Sequence, residues 1–305
     1  MSFTFKRATR EGIKLLLSFA GGTGSGKTFS AMEIATGLSM GKPFAVIDTE
    51  NGRAKHYADQ FTFDYVSLDA PFRPERYLSA IESAASQKYP VILIDSISHE
   101  HDGDGGLLDW HEEELDRMAG ADWQKRNSLT MTAWINPKKS HKHFVNKLLQ
   151  INAHVILCMR AEEKIEMVKE GGRTVVKPKE SAVGANGWVP ICEKRLPFEM
   201  TASFLLLAEK PGVPIPIKLQ EQHRRFVDLS KPINKETGVS FLKWAENPGN
   251  ETNSVDAIKL ARYSKLCNQA EQYGIEFVLP TEIKTGSQLS AEGNKLLELL
   301  KEKRA

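Results

Sequence analysis

The sequence predicts an α/β fold with a mostly parallel sheet, antiparallel additions to that sheet, and a small helical region at the carboxyl end. The first observation is that short apolar runs alternate with segments of helical spacing over the first hundred residues. This alternation is typical of βαβ crossovers, which produce parallel strands. The second is a glycine-rich loop after the first apolar run, and the third is a cluster of helix breakers near residue 250.

The first predicted strand runs directly into the glycine-rich loop. Residues 13–20 are mostly apolar, and residues 21–28 fit the pattern G-x-x-x-x-G-K-[ST] without a mismatch. Four glycines within six positions let N–H groups turn inward as an anion site, and the helix that follows directs its positive end there. The pattern predicts a phosphate-binding loop, or P-loop, for ATP, formed by Gly21, Gly22, Thr23, Gly24, Ser25, Gly26, Lys27, Thr28 and Phe29.

Three side chains carry the expected chemistry of this loop. Lys27 is expected to reach the β and γ phosphates and to act in catalysis, and the Thr28 hydroxyl is expected to ligate Mg²⁺. Asp95 follows the apolar run 91–94, so its carboxylate lies at the end of a parallel strand, where it can hold Mg²⁺ through water. ATP and Mg²⁺ are the predicted ligands, with Thr28 and Asp95 as the residues of the metal site.

The residue that orients the attacking water is predicted from its place at a strand end. Many ATPases carry glutamate directly after the metal-binding aspartate, but here that position is Ser96. Glu50 ends the second predicted strand, and the strand ends of such sheets converge on the ligand. Glu50 is therefore the predicted base and Glu100 the second candidate. A salt bridge from Glu50 to Arg53 is the structural alternative.

The remaining elements follow in order along the chain. Residues 1–12 are expected to form a short leading strand or arm. Further strands are predicted at 44–47, 63–68, 91–95 and 154–160, and helices at 29–38, 75–86, 107–118 and 143–150. A hairpin of residues 162–168 and 173–177, with its turn at 169–172, precedes strands at 198–208 and 226–229 as antiparallel additions.

Breakers at residues 247–253 mark a domain boundary. We expect residues 1–247 to form one domain and residues 254–305 a small helical region, with helices at 255–273 and 290–303.

The composition limits the possible partners and location. The net charge is +2, so DNA affinity requires a local basic patch. The three cysteines form no CxxC pair and are expected to be reduced thiols. Neither a signal peptide nor a membrane span is indicated, so a cytoplasmic location is expected.

Two further clusters have chemical interest. Residues 138–143 are basic and stand near Trp134 and Phe144, which predicts a contact with DNA or between subunits; the alternative is a solvated loop and helix start. A second cluster has the residue types of a metal site but lies in a glycine-rich, acidic loop, so no metal besides Mg²⁺ is predicted there. This cluster consists of His99, His101, Asp102, Asp104 and His111.

Residues 21–28, the strand end 48–50 and the pair Asp95–Ser96 resemble RecA-type ATPase cores. More narrowly, residues 13–230 resemble phage-encoded RecA-like nucleotide-binding proteins, some of them associated with single-strand annealing and recombination. Residues 133–139, the strand that ends at Arg160 and residues 194–198 also carry this resemblance.

The resemblance implies an ATP-driven homo-oligomer that works on single-stranded DNA with phage or bacterial partners, in the cytoplasm of a bacterial host. It also implies that Arg195 could reach the γ-phosphate of a neighbouring subunit as an arginine finger; the alternative is that Lys194 and Arg195 are an ordinary surface pair. Arg160 could instead sense phosphate within its own subunit.

Three functions remain open at this point. The first is a DNA-stimulated ATPase of recombination, annealing or replication. The second is a nucleotide-gated loader or assembly factor whose C-terminal helices bind a protein partner. The third is a small-molecule kinase, which ranks last because the predicted hairpin does not resemble the arginine-bearing lid of such enzymes.

Overall fold

The computed structural model describes residues 4–5, 12–171, 173–185, 187–246, 257–283 and 286–304. The chain divides into two compact units, one of residues 14–244 and one of residues 1–13 with 245–305. Most of the predicted leading arm, the predicted boundary at 247–253 and one residue of the hairpin turn lie outside the described residues.

The strands and helices confirm the alternation read from the sequence. The strands are β1 (Leu16–Gly21), β2 (Phe44–Asp48), β3 (Phe63–Ser67), β4 (Val91–Asp95), β5 (His154–Glu163), β6 (Ile165–Glu170), β7 (Arg173–Pro178), β8 (Trp188–Pro190), β9 (Ala202–Leu206) and β10 (Pro214–Leu219). The α-helices are α1 (Lys27–Leu38), α2 (Pro74–Ser86), α3 (Ser98–Asp102), α4 (Leu107–Ala119), α5 (Trp123–Ala133), α6 (Ile135–Leu148), α7 (Leu196–Glu199), α8 (Glu221–Arg224), α9 (Lys235–Glu246), α10 (Ala257–Gln272) and α11 (Gly286–Arg304).

The central sheet has the strand order β10-β9-β1-β5-β4-β2-β3, and β8 pairs with the last residues of β5. Strands β9, β1, β5, β4, β2 and β3 are parallel, whereas β10 and β8 are antiparallel. The predicted α/β class, with a mostly parallel sheet and antiparallel additions, is confirmed. Strands β1, β2 and β4 are buried on both faces, which explains their unbroken apolar sequences.

The register aligns the carboxyl ends of the central strands. Gly21 of β1 is level with Arg160 of β5, and Asp48 of β2 is level with Asp95 of β4. Strand β5 continues past Arg160 and pairs there with β8, so it is longer than predicted. Because ligands bind at the carboxyl ends of parallel strands, this edge of the sheet is where a site is expected.

The predicted hairpin is present as the two-stranded sheet of β6 and β7. Its first strand begins later than predicted, because residues 162–163 belong to β5. The strand predicted at 198–208 is shorter, since residues 196–199 form α7 and β9 begins at Ala202. The strand predicted at 226–229 is wrong. Those residues follow α8 in a turn, where Phe226 N–H donates to the His223 carbonyl.

The segment between β4 and β5 contains more helix than predicted. Helix α5 was not predicted, because only Ala133 of its residues is buried and no apolar stripe marks it. Helix α6 begins at Ile135 rather than at residue 143. Pro137 is compatible with this start, because it lies in the first turn, where its missing N–H has no helical partner to lose.

The C-terminal unit contains α10 and α11, which are the two helices predicted for this region. Tyr263 contributes to its core and donates a hydrogen bond of 2.9 Å from its hydroxyl to the Val278 carbonyl. The buried core residues of this unit are Tyr263, Cys267, Ala270, Ile283, Leu289, Leu296 and Leu300.

Candidate nucleotide-binding site

The P-loop connects β1 to α1 and has a backbone shape that requires glycine at two positions. Gly24 and Gly26 have φ angles of +76° and +81°, which side chains rarely adopt. At Gly21, a Cβ atom would lie 2.3 Å from Ser25 Oγ and 2.6 Å from the Leu206 carbonyl. The Ser25 hydroxyl donates to the Gly22 carbonyl at 2.9 Å and closes the loop from inside. The loop is therefore built as a tight cradle beside the N-terminus of α1.

Thr28 and Asp95 meet as the metal-site prediction requires. The Thr28 hydroxyl donates to Asp95 Oδ2 at 2.6 Å, and both side chains are buried. Asp95 Oδ1 is also buried, and within the described residues it has no hydrogen-bond partner. Burial raises the pKa of Asp95 to about 6, while the Thr28 hydrogen bond and the Lys27 charge lower it. A cation would supply the missing partner of this oxygen, so the two residues fit Mg²⁺.

The end of β2 carries Glu50 into the same cleft. Asp48 holds the turn after the strand, because its carboxylate accepts from Glu50 N–H at 2.5 Å and from Ala54 N–H at 2.9 Å. Glu50 is 13% exposed and pairs with Arg53, which is 58% exposed. Both the predicted place of Glu50 at the cleft and the alternative salt bridge to Arg53 are therefore present.

Glu100, the second candidate for the base, does not reach the cleft. It lies on α3 with 1% of its surface exposed, and its Oε1 is 2.8 Å from His141 Nδ1 on α6. The hydrogen bond to Glu100 raises the pKa of His141, against the effect of burial. The carboxylate of Glu100 is thus engaged in a buried hydrogen bond with His141.

The cleft at the strand ends has a volume of about 920 Å³. It is large enough for a nucleotide and contains both acidic and basic groups. Its lining includes Gly21, Gly22, Thr23, Lys27, Thr49, Glu50, Asn51, Arg53, Asp69, His99, Asp102, Asp104 and Arg160. A second cavity of about 520 Å³ is lined by P-loop residues 22–28 together with Arg53, His56 and Tyr57.

Phe29 and Arg195 do not belong to the lining of either cavity. The Phe29 ring is not part of either lining; it packs against Tyr57 and Phe61, with ring centroids 6.2 and 5.5 Å apart. Arg195 is exposed at the start of α7, and it lines a groove of about 440 Å³ together with Lys138 and Lys142 of α6. Within one chain, Arg195 therefore lies beside the exposed basic residues of α6, which we call the α6 surface, and not in the cleft at the strand ends.

The basic stretch 138–143 lies on α6 and differs in detail from the prediction. Lys138, Lys139, Lys142 and His143 are exposed. His141 is buried and pairs with Glu100, and Phe144 is 1% exposed, so neither side chain is available at the surface. Trp134 is half-buried, because its ring stacks on His111 at a centroid distance of 4.4 Å.

Sequence reasoning missed several residues of the cleft. His99, Asp102 and Asp104 had been considered only as metal ligands, whereas the structure places them in the lining of the cleft. In the part of the chain that the structure describes, no three histidine, cysteine or acidic residues are grouped as metal ligands. Arg53 lines the cleft and the second cavity, and Tyr57 lines the second cavity. Both lie on a 3₁₀ turn, and no sequence pattern predicted that this turn would be next to the site. The one usable signal was the proximity of residues 99–104 to Asp95 along the chain.

Two comparisons with known proteins gave different results. No curated protein matches the chain, whereas a family model does. Within the described residues, no helix has the length and apolar character needed to cross a membrane. A family model described as AAA domain matches residues 13–187, which is more than half of the chain and includes the P-loop, Glu50, Asp95 and Arg160. The chain therefore belongs to the AAA domain family of nucleotide-binding P-loop ATPases.

Proposed function

We propose that this chain is a RecA-like ATPase of phage origin that acts on single-stranded DNA in recombination, annealing or replication. The nucleotide-binding part follows from the family and the cleft. The DNA part is supported by one observation, namely that α6 presents Lys138, Lys139, Lys142 and His143 to solvent within two turns. Because the net charge of the chain is only +2, binding to a phosphate backbone requires a local cluster of positive charge, and these residues of α6 provide one.

The proposed roles in hydrolysis follow from the contacts at the strand ends. Lys27 and the loop N–H groups bind the β and γ phosphates of ATP, and Glu50 orients and polarises the attacking water. Thr28 and Asp95 hold Mg²⁺, which neutralises charge that develops on the phosphate oxygens. Arg160, which is level with Gly21 on the neighbouring strand and also lines the cleft, contacts phosphate there.

Arg195 is proposed to act between subunits of a homo-oligomer. Its place outside its own cleft is compatible with the expected arginine finger, since such a residue reaches the nucleotide of a neighbour. The shared groove with Lys138 and Lys142 gives it a second possible role in binding DNA. We also propose that residues 1–247 form the ATPase domain and that the helical region 254–305 binds a protein partner.

The DNA-binding part is tested by replacing Lys138, Lys139 and Lys142 with alanine. This change removes up to three ion pairs with DNA phosphates. The slope of log affinity for single-stranded DNA against log salt should therefore flatten by about 0.7 for each phosphate that is no longer neutralised. Fluorescence anisotropy of a labelled oligonucleotide at several salt concentrations measures the slope.

A matched control removes three exposed lysines from other elements, by Lys42→Ala, Lys235→Ala and Lys243→Ala. The control loses the same total charge as the α6 variant. If DNA binds at α6, the salt slope of the control should stay close to that of the wild type. Equal slopes for the α6 variant and the wild type would contradict the proposal.

A further inference from the structure

His99 occupies a central position among the strand ends of the cleft. It is the second residue of α3, and its ring is half-buried and stacks on Phe72 at a centroid distance of 4.9 Å. Its Nδ1 lies 2.7 Å from Thr49 Oγ1, directly after β2, and its Nε2 lies 3.4 Å from a guanidinium nitrogen of Arg160 on β5. One imidazole therefore joins the strand end that carries Glu50 to the strand end that carries Arg160.

The partners of the ring determine which nitrogen carries the proton. A guanidinium can only donate, so His99 Nε2 must accept the Arg160 hydrogen bond and therefore carries no proton. In the neutral ring the proton is then on Nδ1, which donates to Thr49 Oγ1. The Thr49 hydroxyl also accepts from Ser96 N–H at 2.9 Å, and its own hydrogen is free to donate to the Ser96 carbonyl at 3.0 Å. This one tautomer satisfies each of these hydrogen bonds.

The backbone of Arg160 is fixed by the same short helix. Ser98 Oγ accepts from Arg160 N–H at 2.8 Å and donates to the Ile191 carbonyl at 2.6 Å. Ile191 N–H in turn donates to the Arg160 carbonyl at 2.8 Å. The main chain of Arg160 is thus held by Ser98, while its exposed guanidinium contacts His99.

We propose that His99, as the neutral Nδ1–H tautomer, is a positioning residue that directs the Arg160 guanidinium into the cleft and couples it to the strand end of Glu50. This inference rests on the proposed function of the cleft in ATP hydrolysis. It assigns no contact with ATP to His99 itself.

The charges around the ring are consistent with a neutral His99. Glu50 after β2 and Asp102 and Asp104 in and after α3 favour the protonated ring, whereas Arg160 on β5 disfavours it. Burial is the largest effect, and the pKa of His99 is lowered from its ordinary value. A protonated ring would turn a second donor toward Arg160, and the hydrogen bond between them would break.

Two conservative variants separate the two hydrogen bonds of the ring. The amide of His99→Asn occupies the place of Nδ1 and keeps the hydrogen bond with Thr49, but it is too short to reach Arg160. The amide of His99→Gln extends to the place of Nε2 and can accept from Arg160. We expect His99→Asn to lower kcat for ATP hydrolysis at least about 10-fold with little change in KM, and His99→Gln to restore most of the activity.

The double variant His99→Asn/Arg160→Ala gives the second kinetic test. If His99 acts through Arg160, the double variant is no slower than Arg160→Ala alone. Additive decreases in kcat, or equal decreases for His99→Asn and His99→Gln, would overturn the positioning role.

A spectroscopic measurement on the full wild-type chain tests the tautomer without relying on activity. Nitrogen-15 NMR of labelled histidines, with His99 assigned by its absence in the His99→Gln spectrum, should show a protonated Nδ1 and an unprotonated Nε2 at neutral pH. A proton on Nε2 would overturn the proposal. Should the wild-type chain fail to hydrolyse ATP, the proposed function fails, and this spectrum still decides the state of His99.

Discussion

Single residues of the candidate nucleotide site combine burial with charge. Lys27 is 9% exposed and Asp95 is 3% exposed, so their charges interact in a medium that screens them less than water does. The Asp95 carboxylate is bound by Thr28 through one oxygen and leaves the other buried and unpartnered within the described residues. A buried polar atom without a partner is costly, and a bound cation removes that cost.

Glu50→Gln tests the role of the carboxylate at the end of β2. The amide keeps the size of the side chain and can still contact Arg53, but it cannot accept a proton from water. Hydrolysis of ATP should fall about 10²- to 10⁴-fold, the usual contribution of a general base. Affinity for ATP should change little, which equilibrium binding of a fluorescent ATP analogue measures.

Glu100→Gln is the comparison variant for this measurement. Because Glu100 is buried against His141 and lies outside the cleft, its change should reduce the free energy of unfolding and not the rate per folded molecule. Normal turnover in Glu50→Gln together with abolished turnover in Glu100→Gln would reverse the assignment.

At the scale of elements, the P-loop strand is joined to its neighbour by a buried histidine. His154, the first residue of β5, accepts a hydrogen bond of 3.1 Å at Nδ1 from Leu15 N–H, directly before β1. The ring is 5% exposed. Burial, with a smaller effect of Lys14, lowers its pKa from 6.5 to about 4. The neutral ring is therefore the form that stabilises the pairing of β1 with β5.

The contribution of His154 to the free energy of unfolding should fall as pH decreases from about 6.5 to about 4. In this range the unfolded chain takes up a proton on His154 that the folded chain does not, so protonation favours unfolding. Between pH 6.5 and 5 this contribution decreases by about 1.5 kcal/mol. Urea unfolding of the wild type and His154→Asn at both pH values isolates this contribution, because asparagine can accept from Leu15 N–H without titrating. Equal pH dependence in the two proteins would show that His154 does not contribute it.

Helices α1 and α9 approach each other through two glycines. A Cβ atom at Gly37 would lie 2.1 Å from the Lys235 carbonyl, and one at Gly238 would lie 2.5 Å from the Ile34 carbonyl. Both obstacles are backbone atoms that cannot rotate away. The glycines therefore set the distance between α9 and the helix that begins at the P-loop.

Gly37→Ala should destabilise the protein by about 1–3 kcal/mol, the usual cost of overpacking, although alanine favours helix. Gly293→Ala on α11 is the matched helical control, because its Cβ would meet only Tyr263 Cδ2 at 3.8 Å. That control should be neutral or stabilising by up to about 1 kcal/mol. Thermal unfolding followed by circular dichroism measures both, and an unchanged melting temperature in Gly37→Ala would contradict the packing described.

The elements that could be predicted from sequence are those whose signal is local. The P-loop and the strand ending at Asp95 were recognisable because their residue types and spacing are dictated by backbone shape and burial. Helix α5 could not be recognised, because its apolar residues do not recur at helical spacing along one face. Two of them, Trp123 and Met131, are 71% and 75% exposed. His99 was not recognised as a cleft residue, since its partners Thr49 and Arg160 are about fifty or more residues away in the chain.

On the scale of the whole molecule, the chemistry is concentrated in the unit of residues 14–244. This unit contains the P-loop, the strand-end cleft and the α6 surface, while the C-terminal unit has a separate small core. The chain has a net charge of +2, so the proposed binding to DNA depends on how charge is distributed over the surface and not on its total. Helix α3 lies between two of these features, because His99 faces the cleft and Glu100 contacts His141 of α6.

The most direct test of the account is ATP turnover by the purified full chain with and without single-stranded DNA. We expect Mg²⁺-dependent turnover that increases when the DNA is added. Lys27→Ala, which removes the ammonium group proposed to bind the β and γ phosphates, should abolish turnover while the protein remains folded. Turnover that DNA leaves unchanged would contradict the proposed action on DNA, and turnover that persists in Lys27→Ala would contradict the nucleotide site itself.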